Sequence, residues 1–237
     1  MSEFKSLKSF VKSRFPRALF VYRKASHALT RPSLASIFSA IYHTNAWQDP
    51  ESVSGRGSTL ARTKTIMIQL PSLLQQLHAD SLLDAACGDF NWMRYADLAN
   101  VRYVGVDIVP DLIRKNQQLY NELERVTFVV ADITRDTLPR AHTILCRDCF
   151  IHLSYSRIKS AISNFSRTGA TYLLCTTHTT VEHNVDCTDG NWRSLNLQLD
   201  PFNFPEPLKL IVEDAEAGKC LGVWQFSELV RTENLSV

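Results

Sequence analysis

The chain has 237 residues, 45% hydrophobic and 21% charged, with a formal net charge of +2, which is the composition of one soluble domain with appendages. Its six cysteines are too few and too scattered for a disulfide scaffold, and Cys146 with Cys149 is the only C-x-x-C pair, without a second pair at zinc spacing, so reduced thiols and no metal site are expected. No apolar run reaches the ~20 residues of a membrane span and no secretory h-region opens the chain, so the expected location is cytoplasmic.

Charge is uneven along the chain. Residues 1 to 31 hold eight Lys or Arg against Glu3 alone, a net +7, which leaves 18 bases and 23 acids, a net −5, for the rest. Within residues 4 to 22, Phe4, Leu7, Phe10, Val11, Phe15, Leu19 and Tyr22 recur at helical spacing with bases between them, the pattern of a cationic amphipathic helix. Such a helix packs on its own domain or lies on an anionic surface, so a peripheral membrane contact through residues 4–24 is one expectation. Residues 43–58, "HTNAWQDPESVSGRGS", are loop chemistry. Together, residues 1–57 read as a basic N-terminal helical extension with a cover loop. "STLARTKTIMIQLPSLLQQLH" then reads as a helix capped by Ser58 or Thr59 and bent or restarted near Pro71.

From residue 81 the chain alternates. The β-rich runs "SLLDAA", "YVGVDI", "VTFVVAD", "TILCRD" and "TYLLCTT" are separated by helix-forming segments such as 111–124 and 155–165. Continuous apolar strands alternating with helices imply a mostly parallel sheet covered on both faces. The last stretch, "LKLIVEDAEAGKCLGVWQFSEL", reads as a hairpin turning at Gly218. Between them, residues 178–207 form a long insertion with aromatic content too high for a disordered segment.

Ligands of open α/β sheets sit beyond the carboxyl ends of the strands. There the sequence places Asp84, Cys87, Gly88 and Asp89, then Asp107, then Asp132, then Arg147 and Asp148. An acid ending the second strand, about twenty residues after the first turn, suits the two hydroxyls of a ribose, because one carboxylate offers two acceptor oxygens. An acid after the third strand suits an exocyclic amine of adenine.

The ordered set "LLDAACGDF", "VGVDI" and "VVADI" resembles the class I S-adenosylmethionine-dependent methyltransferases. The resemblance covers about residues 58–230, and residues 58–237 would form the methyltransferase domain. It implies a Rossmann-like α/β fold with a seven-stranded, mostly parallel sheet and a terminal antiparallel hairpin. It also implies S-adenosylmethionine as cofactor, with Asp84, Ala86, Cys87 and Gly88 under its methionine part, Asp107 and Ile108 at the ribose, and Asp132 with Ile133 at the adenine. Trp47 and Trp92 would close against it, and Arg147 would pair with its carboxylate. The larger set "YHTNAW...SGRGSTLARTK", "CRDCFIHLS" and "NWRSLNLQLDPFNFPEP" is similar to a bacterial branch associated with polysaccharide or secondary-metabolite clusters. The usual first motif is D/E-x-G-x-G-x-G, whereas Ala86 and Phe90 stand at its outer glycines. Phe90 is expected to crowd a backbone that must approach a ligand. That weighs more heavily against a dinucleotide, whose pyrophosphate needs the close approach, than against a cofactor without phosphate.

Methyl transfer needs an in-line nucleophile and, for a hydroxyl acceptor, removal of its proton. Asp148 and His152, four residues apart, are the candidate base and its partner, and His178 is the rival base. Trp192, Arg193 and Asn196 in the insertion are the expected acceptor contacts, their polar forks and aromatic plates suiting a small-molecule or saccharide acceptor in O-methylation. Two alternatives stay open: a non-catalytic Rossmann-like scaffold, and a nucleic-acid or protein methyltransferase. Against nucleic acid stand the acidic remainder of the chain and the absence of a base-flipping signature after the fourth strand.

Overall fold

The computed structural model describes residues 32–98 and 100–229. The amphipathic helix expected over residues 4–22, and the membrane contact expected for residues 4–24, lie outside the described residues. Among the described residues no helix is long and apolar enough to cross a membrane.

Seven strands form one sheet: β1 (Ser81–Ala85), β2 (Arg102–Asp107), β3 (Val126–Val130), β4 (Thr143–Cys146), β5 (Tyr172–His178), β6 (Lys209–Asp214) and β7 (Lys219–Gln225). Their spatial order is β3-β2-β1-β4-β5-β7-β6. The pairings among β1 to β5 are parallel, while β7 runs antiparallel to both β5 and β6. The order reverses between β1 and β4, so the switch point at which such sheets bind ligands lies beyond their carboxyl ends.

The central strands are buried on both faces, which is why they read as unbroken apolar runs. All five residues of β1 and all four of β4 are buried. Alternate side chains feed two cores. Leu83, Val104, Ile144 and Leu173 pack with Ile158, Ile162 and Phe165 of α4 (Tyr155–Phe165), while Leu82, Tyr103, Leu145 and Leu174 pack with Ile66, Leu70 and Leu74 of α2 (Leu60–Gln76).

Several elements differ from the sequence expectation. Helix α1 (Leu34–Thr44) was not expected, although Ser33 follows a proline and its side chain accepts the Ser36 N–H as an N-cap. Helix α2 runs through Pro71 without restarting. Its first turn is capped neither by Ser58 nor by Thr59: Glu51 Oε1 accepts the Leu60 N–H at 2.7 Å. Helix α3 (Pro110–Leu119) stops before residue 124: Tyr120 leaves the helical backbone at φ -122° and packs its ring on Phe90, with centroids 4.9 Å apart. The insertion expected at 178–207 begins on His178, the last residue of β5, and residues 179–207 carry no helix or strand, yet Leu195, Leu197, Phe202 and Phe204 are buried in the core.

Phe90 does not crowd the ligand face. Its backbone adopts φ 58°, the conformation a glycine would favour, and its ring turns away into a cluster with Tyr103, Tyr120 and Phe128 at 5.0, 4.9 and 5.2 Å. Aromatic burial and edge contacts offset the cost of a Cβ in the left-handed region, which is about 1–2 kcal/mol. Phe90→Ala is therefore expected to lower unfolding free energy by about 3–5 kcal/mol in urea titration. Phe90→Gly should be less damaging than Phe90→Ala, despite removing as much of the ring, because glycine carries no Cβ penalty there. Equal losses in the two variants would contradict the strain at this position.

Candidate active site

The carboxyl ends of β1 to β4, with α1 and the 45–58 loop above them, line a cavity that opens to solvent. All eleven residues expected to hold the cofactor line it: Trp47, Asp84, Ala86, Cys87, Gly88, Trp92, Asp107, Ile108, Asp132, Ile133 and Arg147. So do Asp148 and His152.

The turn after β1 is built by close approach. Gly88 has φ 55°, and a Cβ there would meet Ser54 Oγ at 2.1 Å. Its N–H donates to Asp107 Oδ2 at 3.2 Å and its carbonyl accepts from Asn116 Nδ2 at 2.8 Å, so α3 and β2 both fix it. Asp107 Oδ1 accepts the Val109 N–H at 3.0 Å. Burial lifts the Asp107 carboxyl to about 6, against the backbone N–H groups that favour its charged form. Asp84 lies beneath, accepting the Tyr103 hydroxyl at 2.7 Å, and burial pushes it to about 7. Asp132 turns one oxygen to Thr134, at 2.9 Å from its N–H and 2.6 Å from its hydroxyl, and the other to Arg135 at 3.1 Å.

The cover loop is clamped by a residue that sequence reasoning placed only at a strand end. Asp89 accepts from Ser52 Oγ at 2.8 Å, from Val53 N–H at 3.0 Å and from Ser54 Oγ at 3.2 Å. Asn91 adds bonds to Glu51 and to the Ser58 carbonyl at 2.8 and 3.1 Å. One carboxylate and one amide thus hold the whole 51–58 segment over the turn.

Arg147 is buried and already paired. Its guanidinium donates to Glu213 Oε2 at 2.5 and 2.9 Å and to the Gly57 carbonyl at 2.8 Å, and it lies 3.2 Å from Asp148 and 5.6 Å from the Trp92 ring centre. Its charge is thereby matched inside the protein rather than left for a ligand carboxylate. Lys219 Nζ meets Asp148 Oδ2 at 2.6 Å and lies 3.5 Å from Glu213. Burial alone would raise the Asp148 carboxyl, but Arg147 and Lys219 hold it down at about 2. It is therefore ionised and paired with both cations.

Glu213 and Lys219 were missed in the sequence. Strand β7 is antiparallel, so it begins at the edge where the parallel strands end, and Lys219 pairs in register with His178. The charged turn "EDAEAGK" carried that signal.

A second open cavity lies beside the first, lined by Arg56, Gly57, His178, Trp192, Glu213 and Lys219 among others. Trp47, Ser54, Asp148 and His152 line both cavities. His152 Nδ1 lies 3.0 Å from the Asn191 carbonyl, which can only accept, so Nδ1 carries the proton and Nε2 of the neutral ring keeps its lone pair. Burial pushes the His152 pKa below 6.5. His178 has the opposite tautomer: its Nδ1 accepts the Leu195 N–H at 3.3 Å, which leaves Nε2 protonated and a donor. The two histidines are therefore not equivalent as bases.

Arg193 and Asn196 line neither cavity. Arg193 donates to the carbonyls of Phe150, Leu153 and Val185 at 2.6, 2.7 and 3.2 Å, and Asn196 bonds the Val181 carbonyl and the Gln198 N–H at 3.2 and 3.0 Å. Both fold the insertion rather than face a ligand. Trp192 reaches the second cavity.

The lining of the first cavity offers acceptors rather than free cations: Asp148 is matched by Lys219 and Arg147, burial lifts the Asp84 carboxyl to about 7, Asp107 and Asp132 present carboxyl oxygens, and the one guanidinium is engaged by Glu213. Such a lining suits the hydroxyls and amine of a nucleoside better than a pyrophosphate. Comparisons with known proteins agree. Residues 82–170 match the family model described as a methyltransferase domain. Human N-acetylserotonin methyltransferase, solved in complex with S-adenosylmethionine, is 12% identical with a TM-score of 0.58 over 91% of this chain and 68% of that one. The Burkholderia thailandensis 1,6-didemethyltoxoflavin-N1-methyltransferase, solved with its substrate and S-adenosylhomocysteine, is 17% identical with a TM-score of 0.55 over 81% and 86%. Magnesium protoporphyrin IX methyltransferase from Synechocystis, with bound S-adenosylhomocysteine, is 15% identical with a TM-score of 0.50 over 62% and 73%. At these identities the likeness is one of fold. Among curated protein sequences none matches significantly. Residues 82–170 thus carry a methyltransferase domain, on a fold shared with methyltransferases solved with S-adenosylmethionine or S-adenosylhomocysteine.

The two buried carboxyls make stability depend on pH in a defined direction. A carboxyl whose folded pKa is about 7 rather than 3.8 holds its proton in the folded state where the unfolded chain has released it, so its penalty grows as pH rises from about 4 to 7. The full shift of Asp84 corresponds to a cost on the order of 4 kcal/mol. Asp84→Asn, which keeps an acceptor for Tyr103, is expected to raise the melting temperature at pH 8 and to have a much smaller effect at pH 5. Parallel thermal melts at the two pH values check this, and a gain confined to pH 5 would contradict it.

Proposed function

We propose that the enzyme transfers a methyl group to a hydroxyl of a small-molecule acceptor held in the second cavity, with His152 as the general base. The observation that carries this reading is the shared wall: Trp47, Ser54, Asp148 and His152 face both cavities, so a donor in one meets an acceptor in the other beside a neutral imidazole. Saccharides belong to this hydroxylated class of acceptors.

When bound, S-adenosylmethionine supplies a methyl group on a positively charged sulfur, open to in-line displacement. Asp107 would accept from the ribose hydroxyls, and Ile108 and Ile133 supply apolar walls for the adenine. The Ala86–Gly88 turn would carry the methionine part, and Trp47 with the clamped 51–58 loop excludes water above it. Nε2 of His152 accepts the acceptor's proton as its oxygen becomes nucleophilic, while the Nδ1–H bond to Asn191 holds the ring in that tautomer. Ionised Asp148, though largely matched by Lys219 and Arg147, favours the imidazolium that results.

Calorimetric titration tests the donor half. Asp107→Ala should weaken S-adenosylhomocysteine binding by roughly 1.5–3 kcal/mol for each hydrogen bond lost. In the unaltered protein, binding should weaken as pH falls through about 6, because protonation removes acceptor capacity from Asp107. Affinity that is flat from pH 7.5 to 5 would exclude Asp107 as the ribose acceptor. For the chemical half, His152→Ala should leave S-adenosylhomocysteine affinity unchanged and lower turnover by roughly 10²–10⁴-fold. Turnover of the unaltered enzyme should rise with pH around a midpoint below 6.5, the direction burial imposes on His152.

A further inference from the structure

The second cavity has an uneven charge account. Arg56, Arg62, Asp148, Glu213, Asp214 and Lys219 line it. Arg62 meets Asp214 at 2.8 Å, Lys219 meets Asp148 at 2.6 Å, and Arg147, from behind the wall, holds Glu213. Those three cations and three anions cancel. Arg56 is left over: its side chain makes no hydrogen bond or ion pair among the described residues.

Its root is fixed. Arg56 begins a single helical turn, Arg56–Ser58, between two glycines. Gly55 has φ 86°, and a Cβ there would meet Trp47 Cβ at 3.2 Å; a Cβ on Gly57 would meet Asp148 Oδ2 at 2.6 Å. The Gly57 carbonyl is held by Arg147 at 2.8 Å and the Ser58 carbonyl by Asn91 at 3.1 Å. An exposed guanidinium on a rigid base, with the neighbouring acids already matched, is built to take an anion from outside. Other groups in the cavity agree with that polarity. His178 carries its proton on Nε2, since Nδ1 accepts from Leu195, and Trp192, 62% exposed, offers an aromatic face without a ring partner among the described residues.

We infer that the acceptor is an anion: it carries a carboxylate or a phosphate group, which Arg56 binds in the second cavity. Arg56 is a specificity-determining residue, and His178 donates to the same ligand. This rests on the proposed reading of that cavity as the acceptor site.

The test is calorimetric titration of the full chain, saturated with S-adenosylhomocysteine, with benzoate, phenyl phosphate and the neutral isostere benzamide. Benzoate, phenyl phosphate or both should bind at least tenfold more tightly than benzamide, and the stronger of the two identifies the anion. Arg56→Gln should remove that preference while leaving S-adenosylhomocysteine affinity unchanged, and Arg56→Lys should retain part of it. The inference is overturned if benzamide binds as well as the anions, if no anion binds to the loaded protein, or if the preference survives Arg56→Gln. Loss of S-adenosylhomocysteine affinity in Arg56→Gln would also overturn it, by placing Arg56 at the cofactor. Failure of the unaltered protein to bind S-adenosylhomocysteine would instead sink the cofactor reading of the first cavity.

Discussion

Buried Arg147 is the interaction on which the site depends. It follows β4, grips Glu213 of β6, takes the Gly57 carbonyl of the cover loop and lies against Asp148. A guanidinium taken out of water is tolerated only when its donors are matched. Here the matching draws together three segments far apart in sequence. Removing it would leave Glu213 buried without its closest cation and release the loop that separates the two cavities. The same pairing engages the one guanidinium that lines the first cavity.

The turn after β1 bears on which ligand class this sheet architecture takes. Dinucleotide sites present backbone N–H groups to a pyrophosphate at a glycine-rich turn. In this chain the corresponding turn carries Phe90 in a glycine conformation with its ring in the core, and four carboxyls surround the space above it. In the second cavity the paired charges cancel and Arg56 remains.

Much of this was legible in the sequence, for identifiable reasons. Strands β1 to β5 and the hairpin followed from apolar runs of strand length, and the acids at their ends followed from the rule that ligands sit at carboxyl edges. What escaped depends on tertiary placement. Helix α1 lies outside the strand–helix alternation that made the later helices legible, and its Ser33 cap shows only in the structure. Glu51 as the cap of α2, and Asp89 as the clamp of the cover loop, act across 9 and 35 to 37 residues, beyond the reach of local patterns. Arg193 and Asn196 looked like acceptor contacts because polar forks beside aromatic residues suit a sugar, but the same forks suit bare carbonyls in an insertion without helix or strand. The different tautomers of His152 and His178 are set by Asn191 and Leu195, contacts that no spacing announces.

The most direct measurement is a crystal structure of the protein with S-adenosylhomocysteine. The ligand is expected in the first cavity, with its ribose at Asp107, its adenine between Ile108 and Ile133, and its sulfur at the wall formed by Trp47, Ser54, Asp148 and His152. Density for the ligand in the second cavity, or with the sulfur turned away from His152, would contradict the division of the site into donor and acceptor halves.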